Sequence, residues 1–193
     1  MLKKIQYNAP VSLTFALVTI IILAANMLTR GLVNSWFFSI YFTSFADPLL
    51  YIRLFTHVLG HASWQHYFSN IMYILLLGPM LEEKYGSRAI LGSMAVTALA
   101  TGAAHLIFSG STALLGASGI VFMMILLASF ASFSAGHIPL TFILIALIYL
   151  GNEIATGLTS TDNVSQLSHV IGGVAGAAMG FLFRQGGKKR RKK

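Results

Sequence analysis

The chain has 193 residues, 56% of them hydrophobic and only 9% charged, with a net charge of +8. A soluble domain carries charge on roughly a quarter of its residues, so this composition excludes an ordinary soluble domain and implies a polytopic membrane protein of one domain. The chain has no cysteine, which removes disulfides and thiolate metal sites from consideration.

Val11 to Leu28 is the first apolar run, long enough to cross the hydrocarbon core. A basic start followed by an apolar run also describes a signal peptide. This run is too long for a typical signal core and no small-x-small cleavage site follows, so a retained helix is expected. Thr29 to Gln65 is aromatic and apolar (Trp36, Phe37, Phe38, Tyr41, Phe42, Phe45) but broken by Asn34, Asp47, Pro48 and Arg53. No stretch of it has the length to span, and aromatic amphipathic segments lie at the interface. It is expected to be a large ordered loop, half sunk in the outer leaflet.

His66 to Leu81 is the second expected span, followed by a tight charged turn from Glu82 to Arg88. Ala89 to Phe108 is the third, rich in small residues that allow close packing. Leu115 to Phe133, Ile138 to Leu158 and Ser165 to Phe183 complete six spans. No repeat is visible, which disfavours an inverted-repeat transporter. The predicted domains are a membrane-embedded unit, residues 1–187, and a basic tail, residues 188–193. Seven of the thirteen Lys and Arg lie from Arg184 to Lys193. Such a run resembles a nucleic-acid patch, but beside a membrane helix it is read as a cytoplasmic anchor on anionic lipid, with no nucleic-acid partner. Six spans with the N-terminus inside leave only Arg30 and Arg53 on the outer side and the other eleven basic residues within. Both termini are therefore expected in the cytoplasm.

With that orientation, three helices begin near the outer face with chemistry at their starts. Gly116-Ala117-Ser118-Gly119 opens the fourth span. A serine among small residues there has space for a substrate backbone and unpaired N–H groups beside it. His66 and Asn70, four residues apart and so about 40° apart around the axis, share a face of the second span. His169 opens the sixth, one turn above Gly172 and Gly173, on a ridge continued by Gly176 and Gly180. Such a ridge admits a close neighbour. If the fourth span is that neighbour, the imidazole faces Ser118. It could then take the serine's proton and later give it to a leaving amine, with His66 and Asn70 as donors to an oxyanion. Asp47, Asp162 and Glu153 are poor third members, the first two in loops and Glu153 given a structural role, so the unit is a dyad. His57, His61 and His66 raise the alternative of a metal site. On one helix His57 and His66 would lie about 180° apart, and no HExxH motif is present, so core or loop-bracing histidines are expected rather than a metal site.

This pattern resembles the rhomboid family of intramembrane serine proteases. The resemblance rests on His61-x4-His66-x3-Asn70, Gly116-Ala117-Ser118-Gly119, His169-x2-Gly172-x3-Gly176, Gly78-x3-Glu82-x3-Gly86, and Arg53 in the first loop. It implies an all-α bundle of six membrane helices and a Ser118–His169 dyad that works with no metal or cofactor. It also implies an oxyanion hole from the Ser118 amide with His66 and Asn70, and a His61 that braces the first loop. The implied substrates are single-span membrane proteins cut near the outer end of the span, and the expected location is a bacterial inner membrane. Gly116, Gly119, Phe122, Gly172 and Gly176 would support the site. Phe122 stands where the family often has tyrosine, and Ile52 stands before Arg53 where it often has tryptophan.

Overall fold

The computed structural model of the chain describes residues 6–109, 112–130, 140, 143–144, 147–148 and 163–190. The helices are α1 (Pro10–Leu28), α2 (Leu32–Phe37), α3 (Pro48–Thr56, running into a 3-10 turn His57–Leu59), α4 (Trp64–Tyr85), α5 (Ser87–Ser109), α6 (Ser118–Phe130) and α7 (Asn163–Arg190). Extended pairing among the described residues is limited to one antiparallel bridge, Ile40 with Leu114. The expected fifth span, 138–158, lies outside the described residues except for Leu140, Ile143, Leu144, Leu147 and Ile148. These five are helical and exposed, at helix-face spacing. Glu153, Asp162 and residues 191–193 also lie outside.

Among the described residues three helices are long and apolar enough to cross a membrane: α1, α5 and residues Gln166–Phe183 of α7. They correspond to the first, third and sixth expected spans. α4 has the length, 22 residues, but ends in Glu82, Glu83 and Lys84. α6 as described has 13 residues, short of the roughly 20 a span requires.

The buried face of α1 is made of Ser12, Ala16, Thr19, Leu23 and Asn26, while Leu17, Ile21 and Leu28 are exposed. Small and polar residues turn inward because lipid is as apolar as leucine, so packing and hydrogen bonding decide which face is buried. The core then runs through five helices, with Leu23, Ile74, Leu81, Ile90, Met123, Met124 and Leu127 all excluded from solvent.

The expected charged turn after the second span is corrected. α4 continues through Glu82 and Glu83 to Tyr85, and only Gly86, at φ +87°, separates it from α5. Glu82 is buried, and its carboxylate accepts the N–H groups of Val11 (3.1 Å) and Ser12 (2.8 Å) and the hydroxyls of Ser12 (2.7 Å) and Ser87 (2.7 Å). It caps the first turn of α1, where N–H groups have no partner within the helix.

The first loop is ordered, as expected, and contains α2 and α3. Asp47 caps α3 by accepting the N–H of Leu49 at 2.9 Å. Buried Arg53 donates from Nε to the Trp36 carbonyl (2.8 Å), lies 3.5 Å from Asp47, and sits over the Tyr41 ring at 4.5 Å. These contacts anchor the loop with Ile52 half exposed beside them.

Candidate active site

The fourth expected span begins three residues later than its hydropathy suggested, and the delay defines the site. Leu114 is drawn out of any helical path by two backbone bonds to Ile40, 2.8 and 2.9 Å. Gly116 has φ +124°, which an L side chain rarely adopts, and its N–H donates to the carbonyl of His57 at 3.0 Å. His105 holds the same segment by donating from Nε2 to the Thr112 carbonyl at 2.8 Å. The chain then turns into α6 at Ser118, with the N–H of Val121 closing on the carbonyl of Ala117 at 2.9 Å. Ser118 is thus the first helical residue, and the amides of Ser118, Gly119 and Ile120 have no acceptor within the helix.

His57 is buried at 1% exposure, between this segment and α5. Its Nδ1 lies 3.0 Å from the Arg53 carbonyl and its Nε2 3.2 Å from the Thr101 hydroxyl. Burial holds the imidazole down to about 4, so it is neutral at pH 7. A carbonyl only accepts, so Nδ1 carries the proton, while the Thr101 hydroxyl donates to the Thr97 carbonyl of its own helix at 2.9 Å.

α7 lies directly on α6 through the glycine ridge. A Cβ on Gly172 would overlap the carbonyl oxygen of Gly119, one on Gly176 the carbonyl oxygen of Met123, and one on Gly180 the Phe130 ring. The carbonyl of Ser168 lies 3.3 Å from where a Gly119 Cβ would stand. The residue before His169 therefore abuts the residue after Ser118. The His169 imidazole packs on Phe122, with ring centroids 4.5 Å apart and planes 41° apart.

α4 delivers the other two predicted residues. Its N-cap is Ser63, whose hydroxyl accepts the N–H of His66 at 3.1 Å. The His66 imidazole lies against Gly116, where an added Cβ would come within 2.7 Å of Nε2 and Cε1. Its Nδ1 accepts the N–H of Ala62 at 3.4 Å. The Asn70 amide is turned back on its own helix and donates to the His66 carbonyl at 2.8 Å, which leaves one of its two N–H groups for the space beside it. His61 is fully buried, meeting the rings of His66 and Tyr67 edge-on at 5.1 and 5.6 Å.

Ser118, His169, His66, Asn70 and Phe122 line one cavity of about 740 Å³. Three helices contribute to it, α4, α6 and α7. Among the described residues no group of three or more His, Asp or Glu is arranged to hold a metal ion.

The sequence model of the Rhomboid domain matches residues 49–186 of the chain. The chain belongs to the rhomboid family. Rhomboids are intramembrane serine proteases, and this one is an integral membrane protein. No curated protein matches it. In this rhomboid the matched region begins within α3 and takes in every residue lining the cavity. Several supporting residues carry little signal in the sequence. The Glu82 cap bridges 70 positions to Ser12, and the motif around Glu82 marks the residue without its partner. The bracing of the 112–117 segment by His57 and His105 has no local pattern.

Proposed function

We propose that this rhomboid is an active intramembrane serine endopeptidase in which Ser118 is the nucleophile and His169 its base. His169 takes the hydroxyl proton as Ser118 attacks the scissile carbonyl, then protonates the leaving amine. The amide of Ser118 with the side chains of His66 and Asn70 stabilises the oxyanion. Phe122 holds the imidazole in place, and Gly116, Gly119, Gly172 and Gly176 let the backbones come close enough for the four groups to meet. His61 braces the first loop behind His66. No cofactor takes part.

The observation that supports this reading best is the shared cavity, into which three helices far apart in sequence bring a serine, two histidines and an asparagine. Around it we propose six membrane spans in a protease domain of residues 1–187, with residues 188–193 as a basic tail on the lipid surface. Both termini face the cytoplasm of a bacterial cell, and the substrates are single-span proteins cut near the outer face. The test is incubation of the detergent-solubilised protein with a generic transmembrane substrate, wild type beside Ser118→Ala. Cleavage by the wild type and none by the variant is expected. Cleavage by Ser118→Ala at the wild-type rate would end the protease reading, and a wild type that neither cleaves nor reacts with a fluorophosphonate would make the chain a binder of membrane clients.

A further inference from the structure

Asn34 is a buried amide of α2, 6% exposed, in a part of the chain that precedes the family match. Its backbone N–H donates to Oδ1 of Asn26 at the end of α1, 2.9 Å. Its side-chain Nδ2 donates to the carbonyl of His61, 2.9 Å. A carbonyl only accepts, so the amide's orientation follows from this bond. Asn34 Oδ1 is buried without a hydrogen-bond partner. An unpaired buried acceptor is destabilising, and a leucine would fill the same space without it. What the amide adds is the bond to His61.

That bond acts on a rigid plate. The peptide unit joining His61 to Ala62 is planar and trans, with its C=O and N–H on opposite edges. Asn34 holds the carbonyl edge, and the N–H edge donates to Nδ1 of His66 at 3.4 Å. A neutral imidazole that accepts at Nδ1 carries its proton on Nε2. Nε2 is on the edge of the ring that lies against Gly116, beside the start of α6.

We infer that Asn34 is a positioning residue for His66: by clamping the His61–Ala62 peptide it selects the imidazole tautomer whose Nε2–H points into the cavity. The inference rests on the reading of His66 as an oxyanion donor. It also gives α1 and α2 a share in the reaction, through Asn26 and Asn34, although neither helix lines the cavity.

The test uses the full chain in detergent with 15N-labelled histidine, the His66 signals being assigned by their loss in His66→Gln. In the wild type His66 is expected as the Nε2–H tautomer. In Asn34→Leu, and in Asn34→Ala, neither of which carries a donor, the Nδ1–H form should appear. Cleavage of one transmembrane substrate should then lose about tenfold in kcat, part of the 10²–10³ a whole oxyanion donor is worth, with KM within about twofold. A variant that melts lower but keeps both tautomer and kcat would make Asn34 a loop brace and overturn the inference. If neither variant folds, the wild type decides alone, since an Nδ1–H tautomer there would overturn it equally. His66→Ala separates the two levels. If it keeps the wild-type kcat, the oxyanion reading itself fails, whereas if it loses kcat while Asn34→Leu does not, only the role of Asn34 falls.

Discussion

The α6–α7 pair and the α1–α4 pair each bring a glycine against a neighbouring helix, and they are held in different ways. Between α6 and α7 the contact is backbone on backbone. Gly172 and Gly176 lie so close to the carbonyls of Gly119 and Met123 that neither has room for a methyl group. Between α1 and α4, Gly78 makes room for the Ser12 hydroxyl, and the pair is tied by polar bonds, from the Tyr67 hydroxyl to the Ala16 carbonyl (3.0 Å) and from three donors of α1 to Glu82. The first arrangement sets the separation of Ser118 and His169 by steric contact, which has no slack. The second ties the start of α1 to the far end of α4. Glu82 is twelve residues from Asn70 along one helix, about 18 Å at 1.5 Å per residue. One pair therefore governs the geometry of the cavity and the other the integrity of the fold.

The sharpest expected effect is at the proposed dyad. His169→Ala, like Ser118→Ala, should abolish cleavage while leaving the melting temperature near that of the wild type, since neither residue is part of the ridge contact. The double variant should be no slower than either single, because the two residues act as a unit. Additive losses would mean that they act separately.

Next comes the ridge. Gly172→Val and Gly176→Val should each reduce kcat/KM by roughly a hundredfold, the scale of a 1 Å misplacement, and lower Tm as well. Full activity with full stability in both variants would show that the close approach does not set the site.

A smaller loss belongs to Phe122. Phe122→Ala removes the face on which the His169 ring rests and should cost about tenfold in kcat, the loss of a positioning contact rather than of a reacting group. Phe122→Tyr should retain activity. An alanine variant as fast as the wild type would reduce Phe122 to ordinary core.

Glu82 should affect activity least and stability most. Glu82→Ala strands four donors, and at about 1–3 kcal/mol for each buried group left unpaired, partly relieved by water, a loss of about 3 kcal/mol is expected. Glu82→Gln should lose less, because one oxygen remains to accept. Turnover per folded molecule should stay within about twofold of wild type, since no catalytic contact is touched. If Glu82→Ala instead slows kcat as far as Gly172→Val does, with both proteins folded, the two helix pairs are not separable in the way their contacts suggest.

Much of the candidate site was legible because its members sit at helical spacings. His66 and Asn70 at four residues, and His169 with Gly172 and Gly176, each declare a shared face whatever the rest of the fold does. The apolar runs likewise announced α1, α5 and α7. Hydropathy misjudged two boundaries. It extended the fourth span back to Leu115, because nothing in Leu114-Leu115-Gly116 reveals that Ile40 will hold Leu114 in a bridge. It also ended the second span at Leu81, because charge at a helix end reads as a turn until the partner of Glu82 is known.

The sequence by itself determined the membrane-embedded, helical character of the chain and its membership in the rhomboid family. It also determined which side chains share a face, because each of these depends on composition or on the period of a single helix. Only the tertiary structure decided that the glycine ridge of α7 faces α6, that Glu82 caps α1, and that Asn34 grips the peptide behind His66. Those contacts join residues 27 to 71 positions apart or lie between separate helices. No local periodicity encodes which distant donor will meet a given acceptor. That pairing is chosen when the helices pack and each buried polar group must find a partner.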